Sequence, residues 1–302
     1  VAKRLGIAIP HMCSGLNQHY RADGNCRLCL VEIDGERTLA ASCKRLPTEG
    51  MNVASESART TKARNMVMEL LIADQPARAT GPDPQSRFWQ MADQMGVTES
   101  RFGCRPQPDA DTSHPAIAVN MDACIQCTNC LRACREIQVN DVIGMARRGA
   151  RSEIVFDIAD PMGTSTCVAC GECVQACPTG ALLEKTPPVN VDREVRSLCP
   201  YCGVGCQVTY KIANDRIVGM AGRNGPGNLN RLCVKGRFGL DYVHHPHRLT
   251  TPLIRRDDAP KIPDPEFDAG DWRKIFREAT WEEALDLAAS GLTSIRQNKG
   301  DK

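Results

Sequence analysis

The sequence predicts an α+β protein assembled from small cysteine-rich modules, and three observations lead to this class. The 17 cysteines of the 302 residues fall, with one exception, into three groups along the chain. Apolar residues recur at helical spacing between the first and second groups. Short strands joined by Asp-Gly or Asn-Asp turns occur in the first and third groups. The predicted modules comprise 1–54, 55–116, 117–190, 191–250 and 251–302.

The first two modules differ in their predicted secondary structure. In the first module, the segments 30–33 and 37–41 form a hairpin around the Asp34-Gly35 turn. The second module is mostly helical and ends in a linker over 104–116, where Pro, Asp and Ser are frequent. We expect the helices of this module to pack on the cysteine-rich modules beside them.

The later modules contain a further hairpin and a final helix. A second linker is predicted over 187–198, at Pro187-Pro188 and the residues that follow. The segments 208–212 and 216–220 then form a hairpin around Asn214-Asp215. Near the end of the chain, Thr280-Trp281-Glu282-Glu283 is a capping box that predicts the start of a helix.

Composition narrows the class of protein. The 38 basic and 36 acidic residues give a net charge of +2, which argues against electrostatic binding of nucleic acid. No apolar run approaches the roughly 20 residues of a membrane span, and no signal-peptide pattern is present at Val1. The C-x2-C and C-x3-C spacings are awkward for disulfides and easy for metal chelation. The composition therefore indicates an intracellular protein that binds metal through thiolates.

The second cysteine group is an internal repeat with the C-x2-C-x2-C-x3-C spacing of bacterial ferredoxins. Three closely spaced thiolates of each run bind one [4Fe–4S] cluster, and the fourth binds the other cluster. The spacing therefore predicts two clusters with crossed ligands. One cluster takes Cys124, Cys127, Cys130 and Cys177, and the other takes Cys134, Cys167, Cys170 and Cys173. Two zinc sites are the alternative, but zinc favours paired C-x2-C hooks.

The first and third groups supply four thiols each. Cys13, Cys26, Cys29 and Cys43 have the plan of a [2Fe–2S] ferredoxin loop, in which Gly15, Gly24 and Gly35 allow tight bends. Cys199, Cys202, Cys206 and Cys233 suit a third [4Fe–4S] cluster. A structural zinc site is the alternative for each group. Cys104 stays unassigned. Lys235 lies two residues after the last ligand, and its spacing alone favours a solvated surface lysine; the alternative is a cation that reaches a neighbouring cofactor.

The order of these motifs is similar to that of a known protein family. Together with Cys199-Pro-Tyr-Cys202-Gly-Val-Gly-Cys206 and Cys233-Val-Lys-Gly-Arg-Phe-Gly, it resembles the N-terminal third of molybdopterin oxidoreductases. More closely, the chain is similar to the alpha subunits of cytoplasmic, NAD-dependent formate dehydrogenases that contain molybdenum or tungsten. The stretch from His244 to Arg255 resembles the family segment that enters the molybdopterin-binding domain. The resemblance implies a [2Fe–2S] module, a helical segment, a double [4Fe–4S] module and a small β-rich [4Fe–4S] domain, in that order.

The resemblance also implies a function. Formate would be oxidised to CO2 at a Mo or W ion held by two molybdopterin guanine dinucleotides. Electrons would then pass through one [2Fe–2S] and three [4Fe–4S] clusters toward FMN and NAD on partner subunits. The implied partners are a flavin- and NAD-binding beta subunit and a small [2Fe–2S] gamma subunit, in the cytoplasm. Lys235 matches the family's lysine between the Cys199 cluster and the pterin, which implies a role as a relay contact.

The sequence departs from this family in two respects. Relatives often carry another cluster, bound by one His and three Cys, between the first and second modules. The stretch from Asp74 to Met95 has neither residue type, so we expect no cluster bound by that stretch. We also expect a fragment, because the chain opens at Val1 without Met and ends in a newly started helix. The family's metal-binding Cys or selenocysteine would lie beyond residue 302, so no catalytic residue can be named.

Three alternative functions remain open on the sequence alone. The first is the relay subunit of complex I or of an NAD-reducing hydrogenase, which has similar modules and no molybdenum. The second is a molybdopterin oxidoreductase for a substrate other than formate. The third is a polyferredoxin that transfers electrons without catalysis, against which the new domain after Thr251 argues.

Overall fold

The computed structural model describes residues 1–14, 19–104, 108–188, 190–261 and 269–300. It confirms the α+β class, since short helices alternate with small antiparallel sheets. The chain divides into two compact units, residues 1–240 and 241–302, and each is described by itself. None of the helices within the described ranges is long and apolar enough to cross a membrane. Gly15, one of the glycines predicted to bend around the first site, lies outside these ranges.

The first unit contains five α-helices and ten strands among its described residues. The helices are α1 (Ala58–Ala73), α2 (Arg87–Met95), α3 (Asn129–Arg132), α4 (Glu172–Ala176) and α5 (Val234–Phe238). The strands are β1 (Leu30–Ile33), β2 (Ala40–Ala41), β3 (Val53–Ala54), β4 (Ile117–Val119), β5 (Ile143–Ala146), β6 (Glu153–Phe156), β7 (Leu182–Glu184), β8 (Arg193–Leu198), β9 (Gln207–Ala213) and β10 (Arg216–Gly222). A π-helical turn over Ala133–Ile137 continues α3.

The predicted N-terminal hairpin is present but shorter than expected. Strand β1 lies between β2 and β3 and is antiparallel to both. Gly35 adopts φ +81° at the turn, which a residue with a side chain rarely adopts. The second strand begins at Ala40 rather than at Arg37. The Arg37 carbonyl accepts a hydrogen bond from the Arg59 side chain of α1 at 2.7 Å instead.

Helices α1 and α2 form the apolar wall beside the first cysteine sites. The Ser57 hydroxyl accepts a hydrogen bond from the Thr60 N–H and caps α1, and Ser86 caps α2 in the same way. Phe88 of α2 is fully buried, in a core that includes thiol-bearing residues of two different modules. That core comprises Met12, Cys13, Cys26, Leu28, Met68, Ile72, Phe88, Trp89, Ala92, Ile125 and Cys127. The helical segment therefore joins the two modules through a shared apolar core.

The middle module pairs β4 with β7 and β5 with β6, and α3 and α4 lie at its centre. Part of the predicted 104–116 linker belongs to this module. Asp111 forms a bridge with Val119, and His114 is buried with Nδ1 accepting hydrogen bonds from the Ala116 and Ile117 N–H groups. Burial lowers the pKa of His114, and the Lys185 charge adds to this effect, so the neutral acceptor form is favoured.

The last part of the first unit is a three-stranded antiparallel sheet in the order β10-β9-β8. The turn between β9 and β10 has positive φ at both Asn214 and Asp215, as a tight hairpin turn requires. The prediction of a linker over 187–198 is wrong for residues 193–198, which form β8. Every residue of this edge strand is exposed, so its sequence carries no alternation of apolar and polar residues that would have revealed it.

The second unit is small. It contains the antiparallel pair β11 (Leu253–Arg255) and β12 (Phe276–Glu278), followed by the helix α6 (Trp281–Lys299). The Thr280 hydroxyl accepts the Glu283 N–H at 3.1 Å, which confirms the predicted start of this helix. Short 3-10 segments cover Asp241–His244 and Ala269–Lys274.

Candidate iron–sulfur sites

The four cysteines of the first group come together beneath the N-terminal sheet. Cys13, Cys26 and Cys29 are buried, and Cys43 is half-buried. A hydrogen bond from the Cys26 thiol lowers the pKa of Cys13 to about 5. Burial, and then the neighbouring Cys29 thiol, raises the pKa of Cys43 to about 12. These mutual effects indicate that the thiols of the first group lie close together.

Backbone N–H groups point at the sulfurs of this first site. The N–H groups of Cys26, Asn25 and Gly24 contribute to the low pKa of Cys13, and the Met12 N–H donates to the Cys26 sulfur at 3.4 Å. Gly24 has φ +77°, and a Cβ at this position would lie 2.9 Å from the Lys44 side chain. The loop is therefore shaped to aim amide dipoles at thiolate sulfur, which stabilises the negative charge of a bound cluster.

The middle module collects its eight cysteines into the two predicted crossed sets. One small cavity is lined by Cys124, Cys127, Cys130 and Cys177. A second small cavity is lined by Cys134, Cys167, Cys170 and Cys173. Cys177 thus lies with the first run of cysteines, and Cys134 lies with the second run.

The thiol electrostatics support the same grouping. Burial raises the pKa of Cys130 well above its usual value, and the charges of Cys124, Cys127 and Cys177 raise it further. Burial also raises the pKa of Cys173, with the largest charge effects from Cys170, Cys167 and Cys134. Such buried thiols stay protonated unless a cation takes the proton's place, which is the behaviour expected of cluster ligands.

The two ligand loops of the middle module share one backbone conformation. Gln126 and Ala169, at equivalent positions of the repeat, both have φ +53°. The Gln126 N–H donates to the Cys124 sulfur at 3.4 Å, and the Ala169 N–H donates to the Cys167 sulfur at 3.4 Å. The sequence repeat is therefore also a structural repeat of N–H groups aimed at sulfur.

The third group forms an open site at one end of the β8-β9-β10 sheet. Cys199 and Cys206 are half-buried, and Cys202 and Cys233 are exposed. Burial raises the pKa of Cys206, and the charges of the other three thiols add to this, so the four lie close together. Across the described residues, no three His, Cys, Asp or Glu side chains meet around one point as ligands of a single ion. Two of the sites surround small cavities between their thiols.

Lys235 lies on α5, directly after the fourth thiol of the open site. Cys233 is the N-cap residue of this helix, and the Lys235 ammonium lies 5.8 Å from the ring centre of Tyr201 in the Cys199–Cys202 loop. This is a cation–π contact across the site. The structure therefore places Lys235 against the Cys199–Cys202 loop, and its role as a relay contact stays a prediction.

Arg237, one helical turn beyond Cys233, makes buried contacts that the sequence did not predict. Its guanidinium is almost fully buried, and it donates to the Cys170 carbonyl at 2.8 Å and to the Gln175 side chain at 3.1 Å. Its nearest carboxylate is buried Glu172, at 3.7 Å. Glu172 in turn accepts a hydrogen bond from the Tyr20 hydroxyl at 3.0 Å. One buried chain of polar groups thus joins all three cysteine-rich modules.

Gly171 shows how closely Arg237 fits the Cys167–Cys173 loop. A Cβ at Gly171, which has φ +70°, would clash with Cδ of Arg237. The sequence carried no signal for this contact. Cys170 and Arg237 lie 67 residues apart in the sequence, so no local pattern could have paired them.

Three family models match separate parts of the chain. Residues 1–58 match a 2Fe-2S iron-sulfur cluster binding domain, and residues 114–183 match the ferredoxin-like domain of NADH-quinone oxidoreductase subunit 3. Residues 192–245 match the molybdopterin oxidoreductase Fe4S4 domain. The chain carries iron–sulfur domains of three kinds. Each of the three cysteine groups lies within one of these matches.

Curated relatives match nearly the whole chain. A subunit of the NADH-quinone oxidoreductase of Rhizobium meliloti is 32% identical over 98% of this chain and 35% of its own length. The alpha subunit of NADPH-Fe(3+) oxidoreductase of Geobacter sulfurreducens is 27% identical over 99% of this chain and 33% of its own length. A Bacillus subtilis protein with a provisional formate dehydrogenase name is 28% identical over 91% of this chain and 31% of its own length.

The chain spans about a third of the length of these relatives. Among solved structures, a chain of an NAD+-reducing [NiFe]-hydrogenase in its H2-reduced state superposes with a TM-score of 0.54 at 28% identity. That match covers 63% of this chain and 80% of the hydrogenase chain. The relatives are oxidoreductases whose names include both complex I-type and formate dehydrogenase-type proteins.

Proposed function

We propose that this chain is the electron-relay portion of a formate dehydrogenase, in which electrons from formate pass through four iron–sulfur clusters toward NAD+. The observation that carries the relay is the collection of 16 of the 17 cysteines into four sets of four. The match of residues 192–245 to a molybdopterin oxidoreductase Fe4S4 domain supports a molybdopterin enzyme. A Mo or W bis-molybdopterin guanine dinucleotide would be held elsewhere in the longer protein.

The proposed ligands fit the clusters assigned to them. Cys13, Cys26, Cys29 and Cys43 would hold the [2Fe–2S] cluster, and each four-thiol set of the middle module and of the Fe4S4 domain would hold one [4Fe–4S] cluster. Bound clusters supply one-electron oxidation and reduction. The chain supplies thiolate ligands, N–H groups directed at sulfur, and an apolar wall around the buried sites, all of which tune the potential of a cluster.

Lys235 would connect the open site to the pterin. Its ammonium lies over the Tyr201 ring. The residue itself belongs to a short helix whose first residue follows Cys233. A cation held at this position can neutralise charge between two redox groups and can donate hydrogen bonds to a ligand outside the site. FMN and NAD would be held by partner subunits, among them a beta subunit and a small gamma subunit with its own [2Fe–2S] cluster.

The second candidate is a relay subunit of the complex I or NAD-reducing hydrogenase type. It is favoured by the 32% identity with a subunit of an NADH-quinone oxidoreductase and by the superposition on a hydrogenase chain. Both candidates use the same four cysteine sites. They differ in whether formate is the source of the electrons.

Anaerobic addition of formate to the purified full-length complex separates the two candidates. If the protein is a formate dehydrogenase, formate bleaches the visible iron–sulfur absorbance, because each formate releases two electrons and one proton as CO2 forms. NADH and dithionite serve as controls for clusters that can be reduced. Bleaching by NADH and dithionite, with none by formate, would contradict the formate assignment and support the second candidate.

A further inference from the structure

Thr179 is a buried threonine two residues after Cys177, and its hydroxyl lies beside the sulfur of that proposed ligand. Thr179 is only 2% exposed and lines the same cavity as Cys177. Its Oγ1 atom lies 3.6 Å from the Cys177 Sγ atom, within hydrogen-bonding distance for sulfur. The other donors to sulfur described above are backbone N–H groups, whereas this contact comes from a side chain that a substitution can remove.

The neighbouring groups decide which atom donates in this contact. The Thr179 hydroxyl oxygen accepts a hydrogen bond from the Ala181 N–H at 3.4 Å, so the hydroxyl proton is free to point toward another acceptor. A cysteine binds iron as the thiolate, whose sulfur carries no proton and can only accept. With a cluster bound, the Thr179 hydroxyl therefore donates its proton to the Cys177 sulfur.

The loop that carries Thr179 is fixed from two sides. The Phe88 N–H of α2 donates to the Pro178 carbonyl at 2.9 Å. The Asn120 N–H, directly after β4, donates to the Ala181 carbonyl at 2.7 Å. The backbone on either side of Thr179 is therefore held between the helical segment and the end of β4, which keeps its side chain beside the ligand.

The equivalent position of the other cysteine run carries a different side chain. Glu136, two residues after Cys134, is exposed, and its carboxylate pairs with an arginine of the first module. The Cys134 sulfur accepts instead from the Val142 backbone N–H at 3.3 Å. The structural repeat thus differs at its fourth ligand, where one site has a side-chain hydroxyl and the other has a backbone N–H.

We propose that Thr179 raises the reduction potential of the [4Fe–4S] cluster held by Cys177, through this hydrogen bond from its hydroxyl to the ligand sulfur. Reduction adds one electron to the cluster and makes its sulfurs more negative, so a hydrogen bond to sulfur stabilises the reduced form more than the oxidised form. The proton stays on the hydroxyl oxygen, and no bond forms or breaks. The proposal rests on the proposed relay function and adds a residue that sets one of its potentials.

The test compares Thr179→Val, Thr179→Ser and Thr60→Val in the purified full-length complex. Valine has nearly the shape of threonine but no hydroxyl, and serine keeps the hydroxyl. Thr60 is the matched control, because it is a buried threonine whose hydroxyl donates to the Ser57 carbonyl at 2.8 Å rather than to a sulfur. Iron and sulfide content shows whether each variant keeps its clusters.

A redox titration followed by EPR measures the potential of each cluster. The signal of the Cys177 site is the one that Cys124→Ala removes. Thr179→Val should lower the equilibrium constant for reduction of that cluster about tenfold, which is about 59 mV for one electron. Thr179→Ser should stay close to the unmodified protein, and Thr60→Val should shift no cluster.

A second readout detects the proton itself. ENDOR spectra of the reduced cluster in H2O and in D2O distinguish exchangeable protons near the cluster from fixed ones. The unmodified protein and Thr179→Ser should both show one exchangeable proton coupling that Thr179→Val lacks. A merely structural role of Thr179 would not produce this difference.

An unchanged potential of the Cys177 cluster in Thr179→Val, at full iron content, would overturn the proposal. An equal shift of all clusters would also overturn it, because the hydroxyl contacts a ligand of one site. If Thr179→Val loses iron, Thr179→Ala replaces it, with the same lowering expected and the same result decisive against the proposal. Neither readout uses formate as the reductant, so a failed formate test of the proposed function is distinguishable from a failure of this contact.

Discussion

Replacement of Cys177 by alanine is expected to empty the first cavity of the middle module and to leave the second one loaded. Cys177 belongs to the second cysteine run in the sequence, but its side chain lines the cavity of Cys124, Cys127 and Cys130. A [4Fe–4S] cluster with three thiolates is readily lost or degraded. The variant should therefore lose about four iron atoms per chain, together with one of the three [4Fe–4S] EPR signals.

Cys134→Ala is the mirror-image control, because Cys134 lines the second cavity. It should remove the other cluster of the middle module. Cys104→Ala should change neither, since Cys104 is exposed and belongs to none of the four sets. The crossed assignment would be wrong if Cys177→Ala removed the same EPR signal as Cys173→Ala and left the signal of the cluster bound by Cys124.

Arg237→Ala is expected to lower the free energy of unfolding by about 3 to 5 kcal/mol, because it leaves Glu172 as a buried carboxylate without its cation. Burial already raises the pKa of Glu172, and the Arg237 charge opposes that rise. The substitution also removes the hydrogen bonds to the Cys170 carbonyl and to Gln175. Denaturant midpoints of the loaded chain, followed by cluster absorbance, measure the loss.

A double substitution identifies the cause of this loss. In Arg237→Ala with Glu172→Gln, the buried carboxylate is gone, so the combined effect should be smaller than the sum of the two single effects. Arg193→Ala is a control, because Arg193 forms its ion pair with Asp215 at the surface and such pairs contribute about 0 to 1 kcal/mol. Strict additivity of the two buried substitutions would show that Arg237 and Glu172 act independently.

Local signals in the sequence were sufficient for the hairpin around Asn214-Asp215 and for the start of α6 at Thr280, because turn and cap chemistry depends on a few adjacent residues. They were insufficient for β8, which is exposed on both faces. The boundaries proposed for the modules stay predictions. The structure has two compact units that divide after Leu240, whereas the predicted modules were bounded by the cysteine motifs and linkers.

The candidate sites show the same division between local and distant information. Ligand spacing predicts the four cysteine sets, including the crossing of Cys134 and Cys177, because iron–sulfur clusters impose characteristic spacings on their ligands. The cluster assignments themselves stay predictions. The groups that hold the modules together were not predictable in this way. Arg132 contacts Cys13 across 119 residues, and Tyr20 contacts Glu172 across 152 residues. Such pairs depend on how separately folded loops pack, which no local pattern encodes.

Metal and sulfide analysis combined with Mössbauer spectroscopy of the anaerobically purified chain tests the central claim, which is that four cysteine sets hold four redox clusters. The account predicts one [2Fe–2S] and three [4Fe–4S] clusters per chain, with no stoichiometric zinc. Zinc at the level of one or more ions per chain, with a matching deficit of clusters, would contradict it. That result would mean that at least one of the four sets is a structural zinc site and not a redox cluster.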